Sequence, residues 1–164
     1  MIKKIILWIL LISWCGVIFS FSAKPAAESS QQSIKVSKII VNTVVALKKL
    51  DLPVLKKVDK SSVEVFAEAI ENTVRKCAHF GIFMILGLLS YPLTSVYLRD
   101  RRKIAAVCLL FCLLYAGSDE IHQIFVAGRS CQIKDVMIDF SGSLTGVGLA
   151  WLTGFLARRR RRRA

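Results

Sequence analysis

Four long apolar runs, separated by short charged blocks, organise this chain. They cover residues 5–21, 77–98, 104–126 and 136–157. Each approaches the roughly 20 residues that an α-helix needs to cross the hydrocarbon core of a bilayer. The pattern therefore predicts an all-α integral membrane protein with about four transmembrane helices. The third run is continuously apolar only as far as Tyr115, and polar residues collect at its far end.

Between the first and second runs the period changes. Ile34, Ile39, Ile40, Val41, Val44 and Leu47 cover a broad face, while Lys35, Lys38, Asn42 and Lys49 follow helical spacing opposite them. This predicts an amphipathic helix lying on the membrane surface. Pro53 should interrupt it. Ser61 and Glu64 then form an S-x-x-E capping pattern, after which Val63, Phe66, Ile70 and Val74 repeat at helical spacing, so a second amphipathic helix is expected to lead into the second span. The alternative is a mobile tether of weak helicity. The chain thus divides into an N-terminal anchor (1–22), an external amphipathic segment (23–74) and a three-helix membrane region with a basic tail (75–164).

Composition strengthens the membrane reading: 54% of the 164 residues are hydrophobic, and the mean hydropathy is +0.53, above what a soluble domain usually carries. The net charge of +13 could suggest nucleic acid, but the basic residues sit in short blocks beside the apolar runs. Such blocks mark orientation. Lys3, Lys4, the Arg99-Asp100-Arg101-Arg102-Lys103 loop and the six arginines at 158–163 share one side if there are four spans, which places both termini in the cytoplasm. A multi-pass protein of the cell membrane, with no nucleic-acid partner, follows. The ten Lys and Arg between Ser22 and Lys76 do not oppose this, because long loops translocate largely regardless of charge. The arginine tail, abutting an apolar helix, suits anionic headgroups.

The first run resembles a signal peptide in its basic start and in the small residues Ser22 and Ala23. Its apolar core, however, exceeds the roughly 7–15 residues of a cleaved segment, which favours an uncleaved anchor. Cys15 follows Leu11 in a loose lipobox spacing that the bulky Trp14 argues against. The five cysteines show no C-x-x-C spacing, and neither a disulfide framework nor a zinc knuckle follows.

The informative residues are those a membrane helix ought to avoid, since an ionised side chain at mid-bilayer costs at least ~2.5–3.5 kcal/mol. Arg75, Lys76 and His79 begin the second span, Asp119, Glu120, His122 and Gln123 end the third, Arg129 follows, and Asp135 and Asp139 begin the fourth. In the four-span topology all lie at the outer level. Helical spacing puts Cys108, Cys112, Tyr115, Asp119 and His122 in one stripe, with Glu120 and Gln123 beside it. On the last span Asp135, Asp139, Gly142 and Gly146 align toward Ala150, and a G-x-x-x-G pair permits close helix approach.

Several of these stretches resemble the VanZ-like family: Arg75-Lys76-Cys77-Ala78-His79-Phe80, Asp119-Glu120-Ile121-His122-Gln123-Ile124-Phe125, Gly128-Arg129, and the series Asp135, Asp139, Gly142, Gly146. Phe19-Ser20-Phe21-Ser22 is similar to the family's aromatic–serine stretch after its first helix. The chain departs from the pattern at Ala127, where proline is usual, and at Ala23-Lys24, where glutamine often follows. The resemblance implies a small multi-pass membrane protein of the cell envelope. It also implies a connection to antibiotic resistance, through reduced susceptibility to the glycopeptide teicoplanin.

Histidine and carboxylates can exchange protons, which makes His79, Asp119, Glu120 and His122 candidate acid–base residues. Arg75, Gln123, Arg129, Asp135 and Asp139 are candidate binding residues, the arginines offering planar donors suited to phosphate. An anionic envelope lipid or lipid-linked precursor is the expected ligand, and no cofactor can be named. No metal is assigned, because there are only two histidines and no H-E-x-x-H spacing. Asp119, His122, Asp135 and Asp139 would be the ligands of the alternative. A structural role competes throughout: Arg129–Asp135, Arg75–Glu120 or His79–Asp139 pairs would neutralise charge where helices meet. So does a non-enzymatic role, in which the cationic face of the 23–74 segment covers anionic lipid or repels a cationic antimicrobial. A transporter fits less well, since the polar residues occupy one level and do not thread the bilayer.

Overall fold

The apolar runs become helices that take in the charged residues flanking them. The computed structural model describes residues 1–48 and 60–161, with side chains described for 1–44 and 63–156. Its helices are α1 (Ile2–Ser22), α2 (Ala26–Lys48), α3 (Lys60–Thr94), α4 (Arg101–Gln123) and α5 (Ile133–Arg161), and the described residues include no strand. Four of these, α1, α3, α4 and α5, are long and apolar enough to cross a membrane. Asp100 sets the start of α4: its carboxylate accepts the Arg102 backbone N–H at 2.8 Å, satisfying a donor that the first turn leaves without an intrahelical partner.

What these helices expose requires lipid. Ile5, Ile6, Ile9 and Ile12 of α1 and Leu110 and Leu114 of α4 are all exposed, and water would not tolerate a continuous apolar belt of this extent. The inward residues are fewer. Leu11 and Ile18 of α1 meet Phe83, Leu86 and Leu93 of α3 and Cys112 and Ala116 of α4 in one cluster. Tyr91, Ile104, Cys108 and Val147 form a second cluster.

The closest packing is between α3 and α5. A Cβ on Gly142 would run into the Phe80 carbonyl oxygen, one on Gly146 into that of Met84, and one on Gly87 into that of Ser143. Backbone therefore lies against backbone along this seam, as small-residue stripes permit in membranes. Ser143 adds a hydrogen bond from its hydroxyl to the Phe83 carbonyl at 3.3 Å.

Polar contacts fix the order of the helices. Trp14 Nε1 donates to the Ile82 carbonyl at 2.8 Å and the Tyr115 hydroxyl donates to the Cys15 carbonyl at 2.7 Å. At one end of the bundle Trp8 Nε1 donates to the Tyr97 hydroxyl at 3.1 Å, Lys4 sits over the Tyr97 ring, and Arg101 sits over Trp151 and Phe155. This is the basic end. The other end gathers the C-termini of α1 and α4, the N-terminus of α5 and the Arg75–His79 part of α3.

The amphipathic segment differs from expectation in two respects. First, α2 packs along α3: Ser37 and Ala67 are fully buried, and Lys38 pairs with Glu64 at 3.0 Å. Second, the expected second amphipathic helix and the second span are one helix of 35 residues. No glycine or proline interrupts the chain from Lys60 to Phe80, so nothing ends the helix at the boundary drawn near residue 74. At about 1.5 Å per residue it is roughly 50 Å long against a hydrocarbon core of about 30 Å, and part of it projects beyond the membrane. Pro53 and Lys49, along with Arg162 and Arg163 of the tail, lie outside the described residues.

Candidate functional site

Three helices each bring one polar residue to the end of the bundle opposite the basic end. His79 comes from α3, Asp119 from α4 and Asp139 from α5, and one ligand-type atom of each lies within 4.8 Å of the other two. The small-residue seam explains the meeting. Gly142 follows Asp139 by about one turn and touches the backbone of Phe80, the neighbour of His79. The closest approach of α3 and α5 thus brings the imidazole toward the carboxylate. His79 Nδ1 stands 3.6 Å from Asp139 Oδ1, too far for a hydrogen bond. Neither Asp139 oxygen has any hydrogen-bond partner, although the side chain is fully buried.

Asp119 is held from behind. Gln123, one turn further along α4, donates Nε2 to Asp119 Oδ2 at 3.1 Å, and Arg129 donates Nη1 to Gln123 Oε1 at 3.1 Å. The same guanidinium donates Nε to the Lys24 carbonyl at 3.0 Å and Nη2 to the Phe21 carbonyl at 3.4 Å. Arg129 reaches this position from a turn in which Gly128 has φ +74°, a conformation that glycine adopts without cost. The Ala26 N–H donates to the Ala127 carbonyl at 3.1 Å, tying the same two loops together. Burial first, and then the neighbouring Arg75 cation, lower the Arg129 pKa from its ordinary value. A guanidinium nevertheless stays charged in proteins. Arg129 therefore braces the α1–α2 and α4–α5 connections and orients Asp119 through Gln123.

The other expected residues divide between the cavity and its supports. Arg75, Lys76, His79, Arg129, Asp135 and Asp139 contribute to the wall of a cavity of about 230 Å³, shared with Gln123, Ser130 and Gln132. Lys76 pairs with Asp135 at 3.5 Å, and Arg75 donates to the Asn72 side chain at 3.1 Å. Glu120 is buried and accepts the Gln132 backbone N–H at 2.9 Å, fixing the loop before α5. His122 turns toward α1 and stacks on Phe19, ring centroids 4.5 Å apart, away from the His79–Asp119–Asp139 group. Among the expected charge pairs only His79–Asp139 is found within ion-pair distance. Arg75 and Arg129 turn instead to Asn72, Gln123 and main-chain carbonyls.

Two contributors were not among the candidate site residues. Lys76 was signalled by its place beside Arg75 at the head of the span. Gln132 acts through its backbone N–H, which no side-chain pattern announces.

A family model described as VanZ/LLP1 matches residues 7–155. No curated protein and no solved structure matches the chain.

Proposed function

Given that the chain belongs to the VanZ/LLP1 family, we propose that this membrane protein binds the phosphate-bearing headgroup of an envelope lipid or lipid-linked precursor, and that occupancy of its cavity affects susceptibility to teicoplanin. The observation that carries this reading is the cavity wall, where Arg75, Lys76 and Arg129 converge around the partly exposed His79 and the buried Asp139. Three cations at one membrane level suit an anion. Guanidinium donors match phosphate oxygens in a planar fork, and an ammonium adds a point charge. Arg129 has three of its five N–H groups committed to the scaffold, so Arg75 and Lys76 are the principal phosphate contacts. His79, with Asp139 and Asp119 behind it, stands where it can take or give a proton at a headgroup oxygen.

Orientation supports the same conclusion. Short Lys- and Arg-rich segments remain cytoplasmic, which puts both termini inside and opens the cavity to the outer leaflet. In a chain stripped of its native cysteines, Ser130→Cys should react with an impermeant maleimide in intact cells, and Arg102→Cys only after permeabilisation. The reverse pattern would overturn both the orientation and the outer-leaflet ligand.

The ligand is tested by native mass spectrometry of the full chain in nanodiscs, comparing phosphatidylglycerol and a polyprenyl phosphate with a glycosyl diacylglycerol. Wild type should retain the phosphate-bearing lipids and lose the phosphate-free one. The Arg75→Gln/Lys76→Gln variant should bind them at least ~10-fold more weakly, since a hydrogen bond to a charged group is worth about 1.5–3 kcal/mol. Equal retention of all three lipids would refute phosphate recognition.

A further inference from the structure

We propose that His79, Asp119 and Asp139 form a binding site for a divalent transition-metal cation. Their ligand atoms come from three different helices and lie within 4.8 Å of one another. Ligands about 2.1 Å from a common ion stand roughly 3–4 Å apart, and the 3.6 Å between His79 Nδ1 and Asp139 Oδ1 falls in that range. As a hydrogen bond the same spacing fails.

An independent observation points to a missing partner. The Asp139 side chain is fully buried, yet neither oxygen accepts a hydrogen bond, and His79 Nδ1 is likewise without one. Buried polar atoms are nearly always partnered, and a carboxylate left alone is among the most expensive exceptions. Charge gives the same answer. Asp119 and Asp139 bring two negative charges into the bundle, and among the described residues no Lys or Arg pairs with either. A divalent ion between them would balance both carboxylates.

The surroundings match how protein metal sites are built. Carboxylate ligands are usually steadied by hydrogen bonds from behind, and here Gln123 holds Asp119 Oδ2 while Arg129 holds Gln123. That leaves the other Asp119 oxygen for an ion. His79 and Asp139 both reach the cavity wall, so three protein ligands would leave coordination positions open toward it, as in sites where a metal meets a ligand or water. One imidazole nitrogen with two carboxylate oxygens suits Mn²⁺ or Zn²⁺ better than a thiolate-preferring ion. The residues differ from the alternative set Asp119, His122, Asp135 and Asp139: His122 lies on Phe19, Asp135 pairs with Lys76, and His79 joins the two remaining aspartates.

Mn²⁺ is the probe of choice, since the five free cysteines compete for Zn²⁺. The full chain, purified in detergent without a histidine tag and stripped with chelator, is titrated with MnCl₂ in the absence of lipid and phosphate. Free Mn²⁺ is followed by electron paramagnetic resonance and stability by thermal unfolding. We expect one ion per chain and a rise in Tm. His79→Gln and Asp139→Asn should each weaken binding at least tenfold, while Glu64→Gln, on the α2–α3 surface, should leave it unchanged. Circular dichroism of each variant shows that it is folded, and if one fails to fold the other decides. No binding by wild type, or equal binding by wild type and both site variants, would overturn the site. With chelator added to the lipid-retention assay and lipid left out of the metal titration, failure of one reading is distinguishable from failure of the other.

Discussion

Replacing Gly146 with leucine should prevent the protein from accumulating in the membrane as a folded species. A Cβ at that position meets the Met84 carbonyl oxygen and, at 2.9 and 3.0 Å, the Met84 carbonyl carbon and the Leu88 nitrogen. Those are backbone atoms of α3, which cannot rotate aside as a side chain would, so the two helices must separate. Overpacking a tight interior costs about 1–3 kcal/mol even where side chains can yield. In a membrane, where helix association rests largely on such packing, the seam would not survive a leucine. Alanine at the same place should be a milder version, lowering Tm without abolishing folding. Gly148 is the matched control, because a Cβ there meets nothing within 4 Å, and Gly148→Leu should behave as wild type. Size-exclusion profiles and thermal unfolding in detergent report all three. Normal abundance and Tm for Gly146→Leu would show that α3 and α5 do not pack as described.

The same seam shows which parts of the site were legible in the sequence. Spans follow from uninterrupted apolar runs, and an up-and-down topology then forces Arg75–His79, Asp119–Gln123 and Asp135–Asp139 to one level. Rotation of α5 was readable because glycine has a strong reason to face another backbone. Rotation of α4 was readable only in part. The expected stripe ran through Cys108, Cys112, Tyr115, Asp119 and His122 with Glu120 and Gln123 beside it, and the buried face carries Ile104, Cys108, Cys112, Ala116, Asp119, Glu120 and Gln123, without Tyr115 or His122. A polar residue at a helix end can be accommodated by any neighbour, and His122 found the Phe19 ring, which its own spacing could not reveal. Arg129 was harder still. Two of its acceptors are main-chain carbonyls, those of Phe21 and Lys24, more than a hundred residues earlier in the chain. Every residue has a carbonyl, so the pattern of side chains gives no hint of which one will be used. The continuity of α3 was hidden by a change of environment, since its first turns pack on α2 and its later ones pack among α1, α4 and α5, and the two stretches carry different patterns on one helix.

Asp139→Asn should remove the effect on teicoplanin susceptibility that the proposed function expects, while leaving abundance and Tm unchanged or higher. Asparagine matches aspartate in size, so the seam beside it is undisturbed, and only the charge and acceptor character change. If Asp139 served mainly to pair with His79 and hold α3 to α5, losing it would break a buried ion pair at about 3–5 kcal/mol. The two groups are within ion-pair distance at 3.6 Å, but no hydrogen bond reaches either oxygen, so the pair is a weak tether between the helices. A buried carboxylate without hydrogen bonds opposes folding, and its conversion to a neutral amide relieves that cost. Asp139 also sits on the cavity wall, where the proposed function gives its charge a role toward what enters the cavity. The measurement is a minimum inhibitory concentration for teicoplanin in cells carrying wild type, Asp139→Asn or no copy, with membrane abundance and Tm determined in parallel. The variant should match cells without the protein in the first assay and wild type in the other two. An unchanged inhibitory concentration accompanied by a lower Tm would assign Asp139 to helix pairing and remove the ground for a functional cavity.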